Sequence, residues 1–381
     1  MYDLLSGVRI VDLSTMVLGP YATQMLGDMG AEVIKVEPMG GDLFRFARPG
    51  RPGGDGGCFL NTNRNKRSIQ LNLDLPEDHD ILTRLTRKSD AFVHNMRPGS
   101  AEKLGIGYAQ VSAHNPQIVY CSARGFAEGP QGDEPAYDDC IQSASGLAWL
   151  NAGESGAPRF VPSVVCDKVA GLHLAFAIAT GLAARSRTGR GTCIETPMFE
   201  AMASFTLIEH LAAAAFDPPL GPPGYDRLAS PNRRPHATRD GYVVILPYTT
   251  AHWLQYLALI GRHDLLDADF VIEPELRSLS IDRLYGVIAE ASGRHTTAEW
   301  LAMLREAGIP CAPVNSLEDL LQDQQLRASG LFETLEHPTE GALRLTGSPF
   351  NVRTAQRTPT RPPPNLDGDR DYILSIIADP A

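Results

Sequence analysis

Val8-Arg9-Ile10-Val11-Asp12-Leu13, then Gly19-Pro20, then Glu32-Val33-Ile34-Lys35-Val36-Glu37 are the residues whose reading decides the fold. The two outer runs are short and rich in Val and Ile, as buried strands are, and the intervening residues Tyr21 to Met29 have the length and pattern of a helix entered through the Gly-Pro turn. Strand, helix and strand in that order make a β-α-β unit, the opening of a parallel sheet.

The pattern repeats outward. Ser68 to Leu73 and Ala91 to His94 read as strands with a helix over Glu77 to Arg87 between them, and Gln117 to Cys121 follows a short helix from Tyr108 to Ala113. The expected class is α/β, with a large Rossmann-like parallel-sheet domain. The first turn has no GxGxxG, so this outline is no warrant for a dinucleotide site.

Asp139 to Leu150 and Lys168 to Ala184 are apolar helical stretches joined by the Gly- and Pro-containing segment Ala152 to Pro162. Arg185 to Gly191 ends the second helix with basic residues and glycine. Met198 to Phe216 is a further apolar helix, and Asp217-Pro218-Pro219-Leu220-Gly221-Pro222-Pro223-Gly224 breaks it. The expected division is a large domain over 1–216, a linker over 217–240, a smaller α+β domain over 241–330, and a C-terminal arm over 331–381 that returns to the large domain. In the smaller domain a strand is expected over Gly241 to Leu246, with helices at Trp253 to Ile260, Asp282 to Ala291 and Thr297 to Ala307. The tail from Leu335, with its Arg361-Pro362-Pro363-Pro364 run, reads as an arm laid over a surface rather than a core element.

The 381 residues carry a net charge of -11, which argues against a nucleic-acid partner while leaving room for a local basic pocket. No stretch has the pattern of a secretory leader or of an uncharged apolar membrane span, so a cytoplasmic protein without a membrane partner is expected. Six cysteines lack the spacing of a metal site or a disulfide framework, and no metal is expected. Asp167 heads the long apolar helix. A carboxylate there either caps the helix or does chemistry. Cys166 beside it, and His94, His173, His210 and His252, lack partners at nucleophile, ligand or triad spacing and read as structural.

Several segments together resemble one family, the class III CoA-transferases, also called the CaiB/BaiF family. They are Gly19-Pro20 with Leu26-Gly27-Asp28-Met29-Gly30-Ala31-Glu32-Val33-Ile34-Lys35-Val36-Glu37, Asn63-Arg64-Asn65-Lys66-Arg67-Ser68, Asn95-Met96-Arg97-Pro98-Gly99 and Lys103-Leu104-Gly105. Tyr137-Asp138 with Gln142, Asp167, Thr188-Gly189-Arg190-Gly191 and Ala307-Gly308-Ile309-Pro310-Cys311-Ala312-Pro313-Val314-Asn315 follow in family order, from Leu5 to about Leu374.

The resemblance implies an enzyme that moves coenzyme A from an acyl-CoA to a free carboxylic acid through covalent aspartyl intermediates on Asp167, with no metal or redox cofactor. It implies CoA contacts at Val17, Leu18, Asn63, Arg64, Asn65, Lys66, Asn95, Met96, Arg97, Lys103, Tyr137 and Asp138, with Tyr137 also near the reacting group. It further implies an interlocked homodimer. A nucleophilic carboxylate suits this reaction, because an anhydride or thioester keeps the activated bond that a serine ester would lose. Such a carboxylate is ordinarily ionised at neutral pH, and a helix N-terminus would favour its charge.

The family's racemase branch has a histidine where this chain has Tyr137, and a phenol is a poor base at neutral pH, so racemisation of a 2-methylacyl-CoA is the alternative reaction. A CoA-binding module without transfer activity is the non-enzymatic alternative. Formyl-CoA transferases carry a glutamine at the position of Val17 and a glycine-rich loop where this chain reads Leu246-Pro247-Tyr248-Thr249-Thr250-Ala251-His252. Acyl groups larger than formate and oxalate are therefore expected, either apolar or dicarboxylic.

Overall fold

The structure, a computed structural model, describes residues 1–152, 156–355 and 357–378. Residues 153–155 of the segment Ala152 to Pro162, and 356 and 379–381 of the C-terminal arm, lie outside them. The chain divides into two compact units: Met1–Asn151, Arg159–Thr206 and Arg327–Ala381 form one, and Ala152–Pro158 with Leu207–Leu326 the other.

The first unit is built on six strands: β1 (Arg9–Asp12), β2 (Glu32–Glu37), β3 (Lys66–Gln70), β4 (Ala91–His94), β5 (Val119–Arg124) and β6 (Thr192–Pro197). They are all parallel, in the order β3-β2-β1-β4-β5-β6. The helices that matter for the site are α1 (Leu18–Asp28), α2 (Pro76–Arg87), α3 (Asp138–Ala144) and α4 (Val165–Thr188). Successive strand residues face opposite sides, and both sides are covered. Ile10, Val33 and Val93 pack with Leu18, Ala22, Ala170, Leu174 and Ile178 of α1 and α4. Val11, Ile34 and Phe92 pack on the other face with Leu82 and Leu85 of α2. This double burial is why the strands read as near-continuous apolar runs.

Helix α4 is long and apolar enough to cross a membrane by length and composition. Its Cys166, Ala170, Leu174 and Ile178 are nonetheless fully buried in the sheet's core. At Gly171 an added Cβ would come within 2.9 Å of the Leu18 carbonyl oxygen, so glycine lets α4 press directly on the first turn of α1. Gly189 ends α4 with φ +66°, a conformation that favours glycine.

Three expectations need correction. The tail is more than a surface arm: Phe332–His337 and Gly341–Thr346 form an antiparallel hairpin, and the helix Arg370–Ala378 buries Ile373 and Ile377 in the same cluster as Phe92. Its proline-rich approach conceals an amphipathic terminus. The run 217–240 is not a bare linker, since it contains a short helix, Asp226–Ala229, and the strand His236–Ala237, which pairs with Tyr242–Ile245. The single helix expected over Asp139 to Leu150 is two, parted by Gly146 at φ +81°.

The second unit has a small antiparallel sheet of His236–Ala237, Tyr242–Ile245 and Cys311–Pro313, with helices Thr250–Leu259, Ile281–Ser292 and Thr297–Glu306 around a core holding Trp253, Tyr256, Leu284 and Trp300. The stretch Leu246 to His252 leads into a helix: Thr249 accepts from the His252 amide, and the Arg227 guanidinium lies over the Tyr248 ring.

Candidate active site

The strand order reverses between β1 and β4, and in an open parallel sheet the crevice outside the carboxyl ends at such a reversal is where ligands bind. The loops leaving β1 and β4 meet at that crevice. Thr15 donates its amide to Asn95 Oδ1 at 2.9 Å, and Asn95 Nδ2 donates to the Thr15 carbonyl at 2.8 Å. Met16, at φ +69°, is in a left-handed conformation and donates its amide to Asp42 Oδ1 at 3.1 Å. Lys35 holds Asp42 from below at 2.9 Å and donates to the Ser14 carbonyl at 2.7 Å. The loop is thus pinned from two sides.

A cavity of about 300 Å³ opens against this loop, lined by Thr15, Met16, Leu18, Asn95, Met96, Arg97, Arg124, Tyr137 and Asp167 among others. A second cavity of about 470 Å³ shares Thr15, Asn95 and Met96 with it, and is walled mainly by apolar side chains including Leu13, Val36, Leu71 and Leu73.

Asp167 is in the first turn of α4, yet it is not the cap. Asp138, the first residue of α3, takes that role: its Oδ1 accepts the amides of Cys166 at 2.7 Å and Asp167 at 3.0 Å. Gln142, one turn on, donates to Asp138 Oδ2 at 2.7 Å and accepts the Val161 amide at 2.9 Å. The pair therefore holds the start of α4 and the segment entering it. No hydrogen bond reaches the carboxylate oxygens of Asp167 among the described residues.

The electrostatic consequence reverses the expectation that the helix terminus keeps Asp167 ionised. Burial, and behind it the Asp138 carboxylate, push the Asp167 carboxyl up to about 7. The amides that could have offset this are already given to Asp138. Cys166 is fully buried, and burial pushes its thiol up to about 12, which removes it as a nucleophile.

The other expected site residues separate into two groups. Leu18, Asn95, Met96, Arg97 and Tyr137 line the Asp167 cavity, and Tyr137 is largely exposed there. Val17 is buried, and it is its neighbours that face the cavity. Lys103 is exposed at the end of the short helix Ser100–Lys103 and lines neither cavity.

The basic run needs correction, because Asn63, Arg64, Asn65 and Lys66 are buried and have internal partners. Arg64 makes a fork to Asp28 at 2.6 and 3.1 Å, and Asn65 donates to the same carboxylate at 2.7 Å. Lys66 donates to Asp12, Asn63 and the Pro20 carbonyl at 2.9–3.1 Å. Burial brings the Lys66 ammonium down to about 8. These groups neutralise buried carboxylates beneath the site and none faces the Asp167 cavity, so they do not form a free phosphate-binding patch. Asp138, expected to touch CoA, is likewise buried as the cap of α4.

Sequence reasoning singled out neither Asp42 nor Arg124. A lone arginine at a strand end carries no signal of its own, whereas Asp138 and Gln142 are four residues apart, the spacing that brings two side chains together on one helix face. The histidines act locally: His94 Nε2 meets the Tyr120 hydroxyl at 2.8 Å, with burial bringing its imidazole down to about 4, and His173 Nδ1 meets the Val169 carbonyl at 2.8 Å.

The chain matches the model of CoA-transferase family III over residues 5–370. It is 30% identical to human succinyl-CoA:glutarate CoA-transferase over 380 residues, covering 98% of this chain and 86% of that protein. It is 31% identical to succinyl-CoA:mesaconate CoA-transferase from Haloarcula marismortui over 391 residues, covering 97% and 95%. The crystal structure of a CAIB/BAIF family protein from Brucella suis superposes with a TM-score of 0.83 at 26% identity, covering 99% of this chain and 100% of that one.

Proposed function

The chain belongs to CoA-transferase family III, and on that premise we propose that it moves coenzyme A between carboxylic acids with Asp167 as the covalent nucleophile. The observation that carries this reading is a poorly solvated carboxylate without hydrogen bonds to its oxygens, facing a cavity at the sheet's switch point. Such a group gives up little solvation when it attacks.

An Asp167 oxygen adds to the thioester carbonyl, the C–S bond breaks, and the CoA thiolate leaves behind a mixed anhydride. The thiolate then adds to the Asp167 carbonyl, and the donor acid departs as a carboxylate, leaving an aspartyl-CoA thioester. The acceptor carboxylate reverses both steps. Every bond broken is replaced by another acyl–oxygen or acyl–sulfur bond, so no net proton or electron is needed.

Charge that develops on the carbonyl oxygen needs donors, and the amides of Cys166 and Asp167 are occupied. The first turn of α1 has no side-chain cap, and Leu18 lines the cavity, so its amides suit that role in place of the glutamine side chain absent at Val17. The larger apolar cavity, joined through Thr15, Asn95 and Met96, has the size and lining for the adenine end of an acyl-CoA, with Arg97 available to its phosphates.

The acids named for the human and Haloarcula relatives are short dicarboxylates, and we extend that class to this chain's acyl groups. Trp149, Phe160, Phe176 and Phe205 are each large apolar side chains left exposed, and burying them against a second copy of the chain would be in keeping with a homodimer. Light scattering at the monomer mass would count against the dimer.

Trapping tests the chemistry. Protein incubated with succinyl-CoA and hydroxylamine should carry a hydroxamate on Asp167, detected by peptide mass spectrometry. Binding of CoA with no adduct from a broad panel of acyl-CoA donors would refute the covalent mechanism.

A further inference from the structure

We infer that Arg124 determines acid specificity by binding the second, non-reacting carboxylate of a dicarboxylic acyl group. This rests on the transfer reading above and names a residue for its substrate class.

Arg124 is the last residue of β5, and its side chain lines the same cavity as Asp167 and Tyr137. It also lines an adjoining cavity of about 140 Å³ that holds Ser122 and Glu195. Close packing beside it sets its position: an added Cβ at Gly125 would fall 2.5 Å from the Ala136 Cβ, so the strand end presses against the segment that leads into Tyr137. Nη2 donates to the Gly132 carbonyl at 3.0 Å, which fixes one edge of the guanidinium.

The rest of its hydrogen-bonding capacity is poorly used. Nη1 reaches Glu195 Oε1 only at 3.5 Å, and the Glu195 side chain is 51% exposed against 15% for Arg124. An ion pair that long with a solvated partner is weak and readily displaced. Nε is buried without a hydrogen bond among the described residues. A guanidinium has five donors in a planar fork matched to a carboxylate. A largely buried one with most of that fork unspent, beside a nucleophile that holds the reacting end of an acid, suits an anion at the acid's far end.

Arg97, the other arginine lining this cavity, is exposed in the turn after β4 and has no comparable rigid seat. Glu134 also lines the cavity, and as an exposed carboxylate it is screened by solvent more than the largely buried Arg124.

The test compares Arg124→Leu and Arg124→Lys with wild type, using one acyl-CoA donor and the acceptor pairs succinate with butyrate and glutarate with valerate. The ratio of kcat/KM for each dicarboxylate over its monocarboxylate should fall by about 30-fold or more in Arg124→Leu, with Arg124→Lys intermediate because it keeps the charge and loses the fork. An equal fall for both acids of a pair, or a wild type that does not prefer the dicarboxylates, overturns the assignment.

Calorimetric titration of succinate and butyrate into the CoA-loaded full-length protein reads the same site without turnover. Wild type should bind succinate more tightly, and Arg124→Leu should lose that difference. If wild type shows the binding difference but forms no Asp167 adduct, the covalent reading fails and Arg124 stands. If the adduct forms and the difference is missing, Arg124 fails alone. Circular dichroism confirms that each variant is folded.

Discussion

Asp167→Asn should make the protein more stable at pH 8 by a margin that shrinks as the pH falls. In the folded chain burial pushes the Asp167 carboxyl up to about 7, against about 4 for an unfolded aspartate. The shift is upward, so its contribution to stability is fully present below the unfolded value of about 4 and is lost as the pH rises through about 7. At 1.36 kcal/mol per unit, the ionised carboxylate costs about 4 kcal/mol at pH 8 and about 1.5 kcal/mol at pH 5. Asparagine does not titrate. Its stability gain over wild type should therefore be about 2–3 kcal/mol larger at pH 8 than at pH 5. Urea unfolding of both proteins followed by circular dichroism from pH 5 to 8 measures it. The same substitution should cut CoA transfer by about 10⁴-fold or more. A stability difference that is flat with pH would refute the reasoning, because it would mean that Asp167 serves the fold like any helix-terminal polar residue.

Three further outcomes follow from the same geometry. The kcat/KM for acyl-CoA should rise with pH through about 7 as Asp167 ionises, and Asp138→Asn should move that rise to lower pH while costing about 1 kcal/mol of stability through a weakened cap; pH–rate profiles with thermal melts check both. Lys66→Met should cost about 3–5 kcal/mol by leaving Asp12 buried without its closest ammonium, and should change KM for acyl-CoA little, whereas a phosphate-binding lysine would show the opposite balance in steady-state kinetics and urea unfolding. Ile373→Ala should cost about 2–5 kcal/mol in urea unfolding, because its side chain is fully buried under the sheet; a change within about 0.5 kcal/mol would mean that the tail is only an arm.

The strands were legible because a sheet covered on both faces needs adjacent apolar residues, and Ile10-Val11, Val33-Ile34 and Ala91-Phe92-Val93 supply them. Where charge enters a strand that rule weakens. The third strand begins at Lys66, not Ser68, because Lys66 is buried against Asp12, and a linear reading treats a lysine as solvent-facing. The basic run around it looked like a phosphate patch for the same reason. The C-terminal helix was hidden because its partners are remote in sequence: the Asp369 carboxylate accepts the Ser68 amide and pairs with Arg67.

By itself, the sequence determined five of the six strands of the parallel sheet, the apolar helix over Lys168 to Ala184 and the identity of Asp167 at its head, since periodicity and residue type are local properties; the strand Thr192–Pro197 was not legible in it. Only the tertiary structure decided that the sheet reverses beside Thr15 and Asn95, and that Asp138, from another helix, takes the amides Asp167 could have used. Desolvation and the competition for hydrogen-bond donors depend on which groups meet in space. They turn a residue placed like a helix cap into a carboxylate titrating near neutral pH.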